Sequence, residues 1–354
     1  MTKDKNNLAG RITLKLTVWL LIIVAVVSCF YFSFTAKVIK DFYADNYHNK
    51  ILITYEYTRR VLSDVYVTVT NNIYYLEHTL DNPDSQKDVM ERIVRNGTRV
   101  HSCGINFIED YYPQKGHKFC PFAWRNPSNR EEILSDEKHD ANFNYFDADW
   151  FLSVIHTDSA KWSEPFHDGY DDETALTAYM VPIHDKTGRP VAVLGADISL
   201  DWLTSKLAET DSTYNANSSF APNLLGLETQ SFIINHDGMF ITNHEKSNLI
   251  VRNFFSQVKP CGDTTMEELI EKMKSGKMSE KECEESYLIN GQECYLFYTP
   301  IKYTEWILVT AVPCQSIDLL ATLYGVSIIL LIIIVMLIII LLNHYYITRM
   351  SSRT

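Results

Sequence analysis

The sequence predicts an α+β protein with two consecutive modules on a long N-terminal helix, flanked by two transmembrane helices. Two apolar runs, one near each end of the chain, are long enough to cross a membrane. The segment between positions 36 and 80 contains neither Gly nor Pro and has helical periodicity. After it, a pattern of helix and antiparallel strands occurs twice, and each copy ends on an apolar strand. We therefore expect one sheet in each module.

The apolar runs are residues 16–34 and 319–342, and about 20 apolar residues span a bilayer as a helix. A cleaved signal peptide is the alternative for the first run. No suitable cleavage site follows it, because Phe34 stands where such a site needs a small side chain. An uncleaved anchor, and hence a two-pass membrane protein, is the favoured interpretation.

Basic residues flank each run on the side of the chain terminus, which predicts that both termini are cytoplasmic. Residues 1–15 then form a cytoplasmic N-terminus, and residues 343–354 begin a cytoplasmic linker. Residues 36–316 are expected on the outer side of the inner (cytoplasmic) membrane. The net charge is −12, and the acidic excess lies in this outer part. A nucleic-acid partner is not expected, since phosphate binding needs clustered Lys and Arg.

A long helix is predicted over residues 36–80. Apolar residues fall three and four positions apart and mark one helical face: Leu62, Val65, Val69, Ile73, Leu76 and Leu80. Such a face can pack along a domain, and its heptad-like spacing also suits a second helix. A homodimer is therefore expected alongside the membrane as a partner.

Residues 81–208 form the first predicted module. Asn82-Pro83-Asp84-Ser85 ends the long helix and begins a short one. The predicted helices are 86–95 and 148–156, the second capped by Asp147, and the predicted strands are 99–108, 118–124, 162–166, 174–183 and 190–198.

Residues 201–223 are predicted to begin as a helix and to continue as a linker rich in Ser, Asn, Thr and Pro, after which the second module covers residues 224–313. Its predicted elements are strands 230–235 and 306–312, a helix at 265–274, and a hairpin about Asn290-Gly291. A weak repeat relates Tyr179–Ile183 to Tyr298–Ile301, each followed by an apolar strand. The second copy has no equivalent of Asp197, which predicts one binding pocket rather than two.

Residues 145–203 contain the candidate site. Trp150 and Trp162 precede the apolar strand 190–198, which ends on Asp197. Apolar walls with a few placed polar groups are typical of a small-molecule pocket. The tryptophans could equally pack in a core. Asp197 is harder to explain in that way, because a buried unpaired carboxylate is energetically expensive.

Other chemistry has little support in the sequence. No paired acid and base are indicated by spacing, and the histidines lack metal-ligand spacing, so no catalytic activity, metal or cofactor is expected. The acidic stretch 168–173 lacks the pattern of a calcium loop and is interpreted as a solvated turn.

The cysteines outside the membrane runs could form disulfides in an oxidising compartment. Cys103 and Cys120 lie on adjacent predicted strands, so a bridge between them is one option and free thiols are the other. The hairpin about Asn290-Gly291 sets Cys294 opposite Tyr287. We therefore expect no bridge between Cys283 and Cys294.

Several segments resemble the double Cache sensor region of bacterial transmembrane receptors: FDADWF, WSEPFHD, TAYMVPIHDKTGRPVAVLGADISLDWL and INFIEDYYPQKGHKFCPFAWR. The resemblance covers about residues 36–313. It implies two PAS-like (Cache) modules, membrane-distal at 81–208 and membrane-proximal at 224–313. Among such receptors the sequence looks most like Bacteroidota-type proteins with a protein phosphatase 2C-like serine phosphatase output.

The resemblance also implies where a ligand binds. Amino-acid-binding members use a Tyr, an Arg, a Trp-Tyr pair, a Tyr-x-Asp and a strand-terminal Asp, where this chain has Phe143, Ala148, Trp150-Phe151, Phe166-x-Asp168 and Asp197. The Arg that would hold a carboxylate is missing, while both acids remain. An amine or an uncharged small molecule is thus favoured over a carboxylate. The candidate ligand-binding residues are Phe143, Trp150, Trp162, Phe166, Asp168, Tyr179 and Asp197.

Residues 348–354 look like the beginning of a HAMP linker. This favours the N-terminal part of a longer receptor, with a serine phosphatase or kinase output, over a stand-alone sensor that acts through a partner. An enzyme anchored at both ends and an adhesion module are the competing classes.

Overall fold

The computed structural model describes residues 2–126, 128–137, 144–167, 175–217, 228–243, 252–279 and 285–351. Within these ranges the helices are α1 (Thr2–His78), α2 (Asp84–Asn96), α3 (Asp149–Thr157), α4 (Leu200–Asn217), α5 (Phe254–Gln257), α6 (Met266–Lys274) and α7 (Cys314–Ser351). The α+β class expected from the sequence is confirmed, with apolar helices at both ends of the chain.

Helix α1 joins the first apolar run and the long outer helix in one uninterrupted element. The apolar face expected at three-and-four spacing is confirmed: Val65, Val69 and Leu76 are at most 1% exposed. This face packs against α2 and against strands of both modules. Because helix side chains repeat every 3.6 residues, one stripe can stay buried along the whole contact.

The distal module contains one antiparallel sheet. Its strands are β1 (Val100–Phe107), β2 (Phe122–Asn126), β3 (Asn129–Asp136), β4 (Lys161–Trp162), β5 (Phe166–His167), β6 (Ala175–His184) and β7 (Pro190–Ser199). They run in the order β3-β2-β1-β7-β6-β4, with β5 also paired to β6. Strand β7 is therefore central and borders both β1 and β6.

Three local expectations for this module were wrong, and one strand was missed. The strand expected at 118–124 begins only at Phe122, and β3 was not expected from its polar sequence. The single strand expected at 162–166 is two short strands, β4 and β5. Asp147 does not cap α3, because the N-cap residue is Ala148, whose methyl side chain cannot accept a hydrogen bond.

The proximal module repeats the antiparallel arrangement. Its strands are β8 (Gln230–Asn235), β9 (Phe240–Thr242), β10 (Val258–Pro260), β11 (Ser286–Ile289), β12 (Gln292–Pro300) and β13 (Trp306–Pro313). Their order is β10-β11-β12-β13-β8-β9. The hairpin about Asn290-Gly291 is confirmed, with both turn residues at positive φ and Tyr287 opposite Cys294.

A buried polar cluster joins α1, α4 and the proximal sheet. The Lys50 ammonium lies 2.6 Å from an Asp211 carboxylate oxygen, and the Lys50 side chain is fully buried. Asp211 also accepts hydrogen bonds from the backbone N–H and the hydroxyl of Ser231. The Ser231 hydroxyl in turn lies 3.0 Å from that of Thr310 on β13.

The two apolar terminal helices pack against each other. By length and composition, α1 and α7 each contain a segment able to cross a membrane. A side chain at Gly325 would begin 2.4 Å from the Phe32 ring, so the absence of one allows close packing. Lys40 and Asp318 form an ion pair between the two helices at 2.7 Å, outside the apolar runs.

The sheet separates Cys103 from Cys120. Cys103 packs on the α2 side, with its sulfur 3.5 Å from that of Met90. Cys120 belongs to the apolar cluster on the other face, and both thiols are free. The optional bridge between them is therefore not formed. Cys294 is also free, while Cys283 lies outside the described residues.

Candidate ligand-binding site

A cavity of about 900 Å³ lies on one face of the distal sheet. Its floor is formed by β1, β6 and β7, and its sides by α3 and by residues 161–167. The volume is at the upper end of the usual range for small-molecule sites, roughly 300–1,000 Å³.

Two glycines on adjacent strands make room for the cavity. Gly104 on β1 and Gly195 on β7 are paired in register. A Cβ added at Gly195 would meet no atom within 4 Å, since that face opens into the cavity. At Gly104 it would lie 2.8 Å from the Phe122 ring. Side chains at these positions would fill the floor or displace its border.

Asp197 faces the same side as Gly195, because residues two apart on a strand share a face. Its strand neighbours are Ser102 on β1 and Ala178 on β6. The Ser102 hydroxyl donates a hydrogen bond of 2.6 Å to Asp197 Oδ2. Asp197 is only partly buried and lines the cavity.

Aromatic side chains form much of the wall. Trp150 from α3 and Phe166 from β5, both predicted as ligand-binding residues, line the cavity. The third predicted aromatic residue, Trp162 on the edge strand β4, also borders the cavity, but it is the strand partner of Tyr179 and its ring packs on that residue. Tyr145 was not anticipated as a lining residue; its hydroxyl donates to the Phe107 carbonyl at 2.7 Å. Burial raises the pKa of Tyr145, which keeps the phenol neutral and able to donate.

Tyr179 lies on the opposite face of the sheet, contrary to its inclusion among the candidates. The lining residues of β6 are its neighbours Ala178 and Met180, and successive residues of a strand point to opposite faces. The Tyr179 ring packs against Trp162 and against Tyr66 of α1. Burial raises its pKa to about 12, as expected for a core tyrosine. The candidates Phe143 and Asp168 lie outside the described residues.

The cavity also contains charged groups that the sequence did not indicate. Lys118 and Lys161 line it, and the Lys118 ammonium lies 5.5 Å from the centre of the Tyr145 ring. Ala148, which stands at the Arg position of amino-acid-binding receptors, is not among the lining residues. The described lining carboxylates are Asp149, Glu164, Asp197 and Glu305. Carboxylates thus outnumber lysines, which favours a cation in the cavity.

The proximal module has no matching carboxylate. Pro182 pairs with Val193 in the distal sheet, and Pro300 pairs with Ile307 in the proximal sheet. Counting from these equivalent pairs, Ala311 stands where the distal module has Asp197. The repeat expected from the sequence therefore extends to the strand register, but the acid is confined to the distal copy.

The two modules meet beside the cavity. Trp162 packs on Trp306, the first residue of β13, with ring centres 5.4 Å apart. The Asn235 amide at the end of β8 donates to both oxygens of Glu164, each at 3.1 Å. These contacts connect the cavity wall to the strand that leads into α7.

With this geometry in place, the fold can be compared with known proteins. The family model of the Cache domain matches residues 39–320, most of the chain. The chain belongs to the Cache domain family. A search of curated protein sequences finds no match to this chain.

Several solved structures share the overall fold with this chain at low sequence identity. The extracellular domain of a proposed histidine kinase, soHK1S-Z6, matches with a TM-score of 0.58 and 14% identity, covering 79% of this chain and 97% of that one. The periplasmic sensory domain of the Campylobacter jejuni chemoreceptor Tlp1 matches at 0.57 and 14%, covering 80% and 98%. The ligand-binding domain of the Pseudomonas aeruginosa amino-acid chemoreceptor PctB, solved with L-Arg, matches at 0.50 and 14%, covering 77% and 95%.

Proposed function

We propose that this chain is a membrane-anchored sensor that binds a small amine, or an uncharged small molecule that donates hydrogen bonds, in its distal cavity. Asp197 carries the proposal, since it places a carboxylate in a cavity with aromatic walls on the central strand. Charge-assisted hydrogen bonds to carboxylates are roughly twice as strong as neutral ones. The proposal assigns binding rather than a catalytic reaction to the described residues.

Related folds support this class of function. Tlp1 is described as a chemoreceptor sensory domain, and PctB was solved with L-Arg, which carries a cationic guanidinium group. In the present chain the lining carboxylates are suited to a cationic group of the ligand. Lys118 and Lys161 are suited to one anionic group on the same ligand.

The proposed signal passes through α7 to a cytoplasmic output, for which the sequence resemblance suggests a serine phosphatase. The two apolar helices and their basic flanks support the proposed two-pass placement in the inner membrane, with residues 36–316 outside. A homodimer along α1 is supported by Ile53, Val67 and Tyr74, which are 60%, 48% and 70% exposed. Their heptad-like spacing suits a helix pair.

The decisive experiment is a thermal-shift screen of amines, amino acids, carboxylates and sugars on the full chain in detergent. Binding of the hits is then measured by calorimetry for the wild type and Asp197→Asn. A lost charge-assisted bond is worth about 1.5–3 kcal/mol, so the variant should bind amines about ten- to a hundredfold more weakly. Asp263→Asn, in an exposed proximal turn, is the matched control. Tight carboxylate binding that Asp197→Asn leaves unchanged would overturn the proposal.

A further inference from the structure

One lining residue of the distal cavity comes from the proximal module. Glu305 lies in the turn between β12 and β13, whereas the other described lining residues fall between Gly104 and Asp197. Its carboxylate is exposed and makes no ion pair or hydrogen bond with any described residue. The β12–β13 turn therefore presents a negative charge to the cavity of the other module.

The next residue anchors this turn to the cavity wall. Trp306 is 3% exposed and packs on Trp162, which itself lines the cavity. Aromatic pairs at such separations attract each other beyond the effect of the area they bury. A change in the position of the edge strand at Trp162 would therefore act on β13 through a direct contact.

We propose that Glu305 completes the ligand site, so that a cationic ligand is held by Asp197 of the distal module and Glu305 of the proximal module together. This inference rests on the proposed function of the cavity. It adds that the proximal module takes part in selecting the ligand and does not only transmit a signal.

Such a ligand would bias the arrangement of the two modules. A ligand shifts a conformational equilibrium only by its difference in affinity for the two states. A cation that contacts both Asp197 and Glu305 favours the arrangement in which the β12–β13 turn is close to the cavity. Strand β13 runs from Trp306 to Pro313 and is followed directly by α7. One strand therefore connects the β12–β13 turn to the second apolar helix.

The first test measures binding to the full chain in detergent, with 1,4-diaminobutane and 2-phenylethylamine as probes. Glu305→Gln should weaken the binding of these amines about three- to tenfold, because an exposed carboxylate contributes less than a buried one. Glu267→Gln removes the same charge from an exposed site on α6 and should have no effect. Weaker binding in Asp197→Asn with unchanged binding in Glu305→Gln would overturn this inference and leave the proposed function standing.

The second test needs no ligand. Glu305→Cys is labelled with cationic and anionic methanethiosulfonate reagents, and the adduct at position 305 is quantified by peptide mass. The cationic reagent should react several-fold faster, and adding Asp197→Asn should reduce this ratio, because both positions share one cavity potential. The ratio at Glu267→Cys should not respond to Asp197→Asn.

If neither amine binds, that result counts only against the amine class in the proposed function. The labelling test still decides the inference about Glu305. A ratio at position 305 that is unchanged by Asp197→Asn would show that Glu305 does not share the cavity with Asp197. That result would overturn the inference.

Discussion

His184, at the end of β6, has a carboxylate on each side of its ring. Its Nδ1 lies 2.9 Å from Glu77 of α1, and its Nε2 lies 2.6 Å from Asp158 after α3. Partial burial disfavours the charged imidazole, but bonding to Asp158 and Glu77 outweighs it and raises the pKa of His184 above its ordinary value of 6.5. The protonated ring therefore ties α1 to the end of α3.

This geometry predicts a pH-dependent stability. A raised folded-state pKa gives stabilisation that is fully present below pH 6.5 and is lost as the pH rises through the higher folded pKa. Below pH 6.5 the wild type should melt at a higher temperature than His184→Gln. This difference in melting temperature should shrink as the pH rises through the folded-state pKa of His184. The protonated His184 ring should add less than about 1 kcal/mol to the free energy of unfolding, because Asp158 is half exposed. His156→Gln is the control, and a difference that grows with pH would contradict the assignment.

The ion pair between Lys50 and Asp211 is more buried than that of His184, because the Lys50 side chain is fully buried. Burial lowers the pKa of Lys50, and Asp211 opposes that shift. Removing one member of a buried pair leaves the other charge without compensation, which usually costs about 3–5 kcal/mol. The pair lies where α1, α4 and β8 meet, so it helps to specify how the modules are joined.

Lys50→Met should therefore destabilise the full chain by about 3 kcal/mol in a denaturant titration. Adding Asp211→Asn should recover part of that loss, since the remaining charge is removed as well. Lys206→Met, which breaks the more exposed pair with Glu209, should cost at most about 1 kcal/mol. Additive losses in the double variant would show that Lys50 and Asp211 do not act as a pair.

Among the elements, the β11–β12 hairpin sets the environment of one cysteine. The two-residue turn places Ile289 opposite Gln292 and Tyr287 opposite Cys294. Positive φ at Asn290 and Gly291 suits the tight turn that fixes this register. The sequence alone was sufficient here, because turn chemistry acts over only four residues.

From this register we expect Cys283 and Cys294 to remain unlinked in the native protein. Burial raises the pKa of Cys294 to about 11, which also makes its thiol a poor nucleophile at neutral pH. Non-reducing peptide mapping of the purified chain should recover the two cysteines on separate peptides. A 283–294 linked peptide would show that this part of the register is different in solution.

For the whole molecule, the placement in the membrane can be tested directly. Reporter fusions after Thr213 and after Thr354 should give opposite results if both apolar helices span the bilayer. A reporter active only outside the cytoplasm should work at Thr213 and be silent at Thr354. Its activity at Thr354 would contradict the two-pass arrangement, because it would place the C-terminal end outside.

The sequence by itself determined the long helices and most of the strands, since these depend on local periodicity and turn chemistry. The four-residue helix α5 and the short strands β9 and β10 were not predicted. Val65, Val69 and Leu76 marked the buried face of α1 because helical spacing is visible within a few residues. The polar strand β3 was missed because its sequence is poor in residues that favour strands, although it pairs with its chain neighbour β2 in a local hairpin.

Only the tertiary structure decided which side chains meet at the cavity. Alternation along β6 separates Tyr179 from Ala178 and Met180 but does not say which face borders a cavity. The lysines at 118 and 161 and the carboxylate of Glu305 reach it from a loop, an edge strand and the other module. Their meeting depends on contacts between residues up to about 200 positions apart, and no local sequence pattern encodes such contacts.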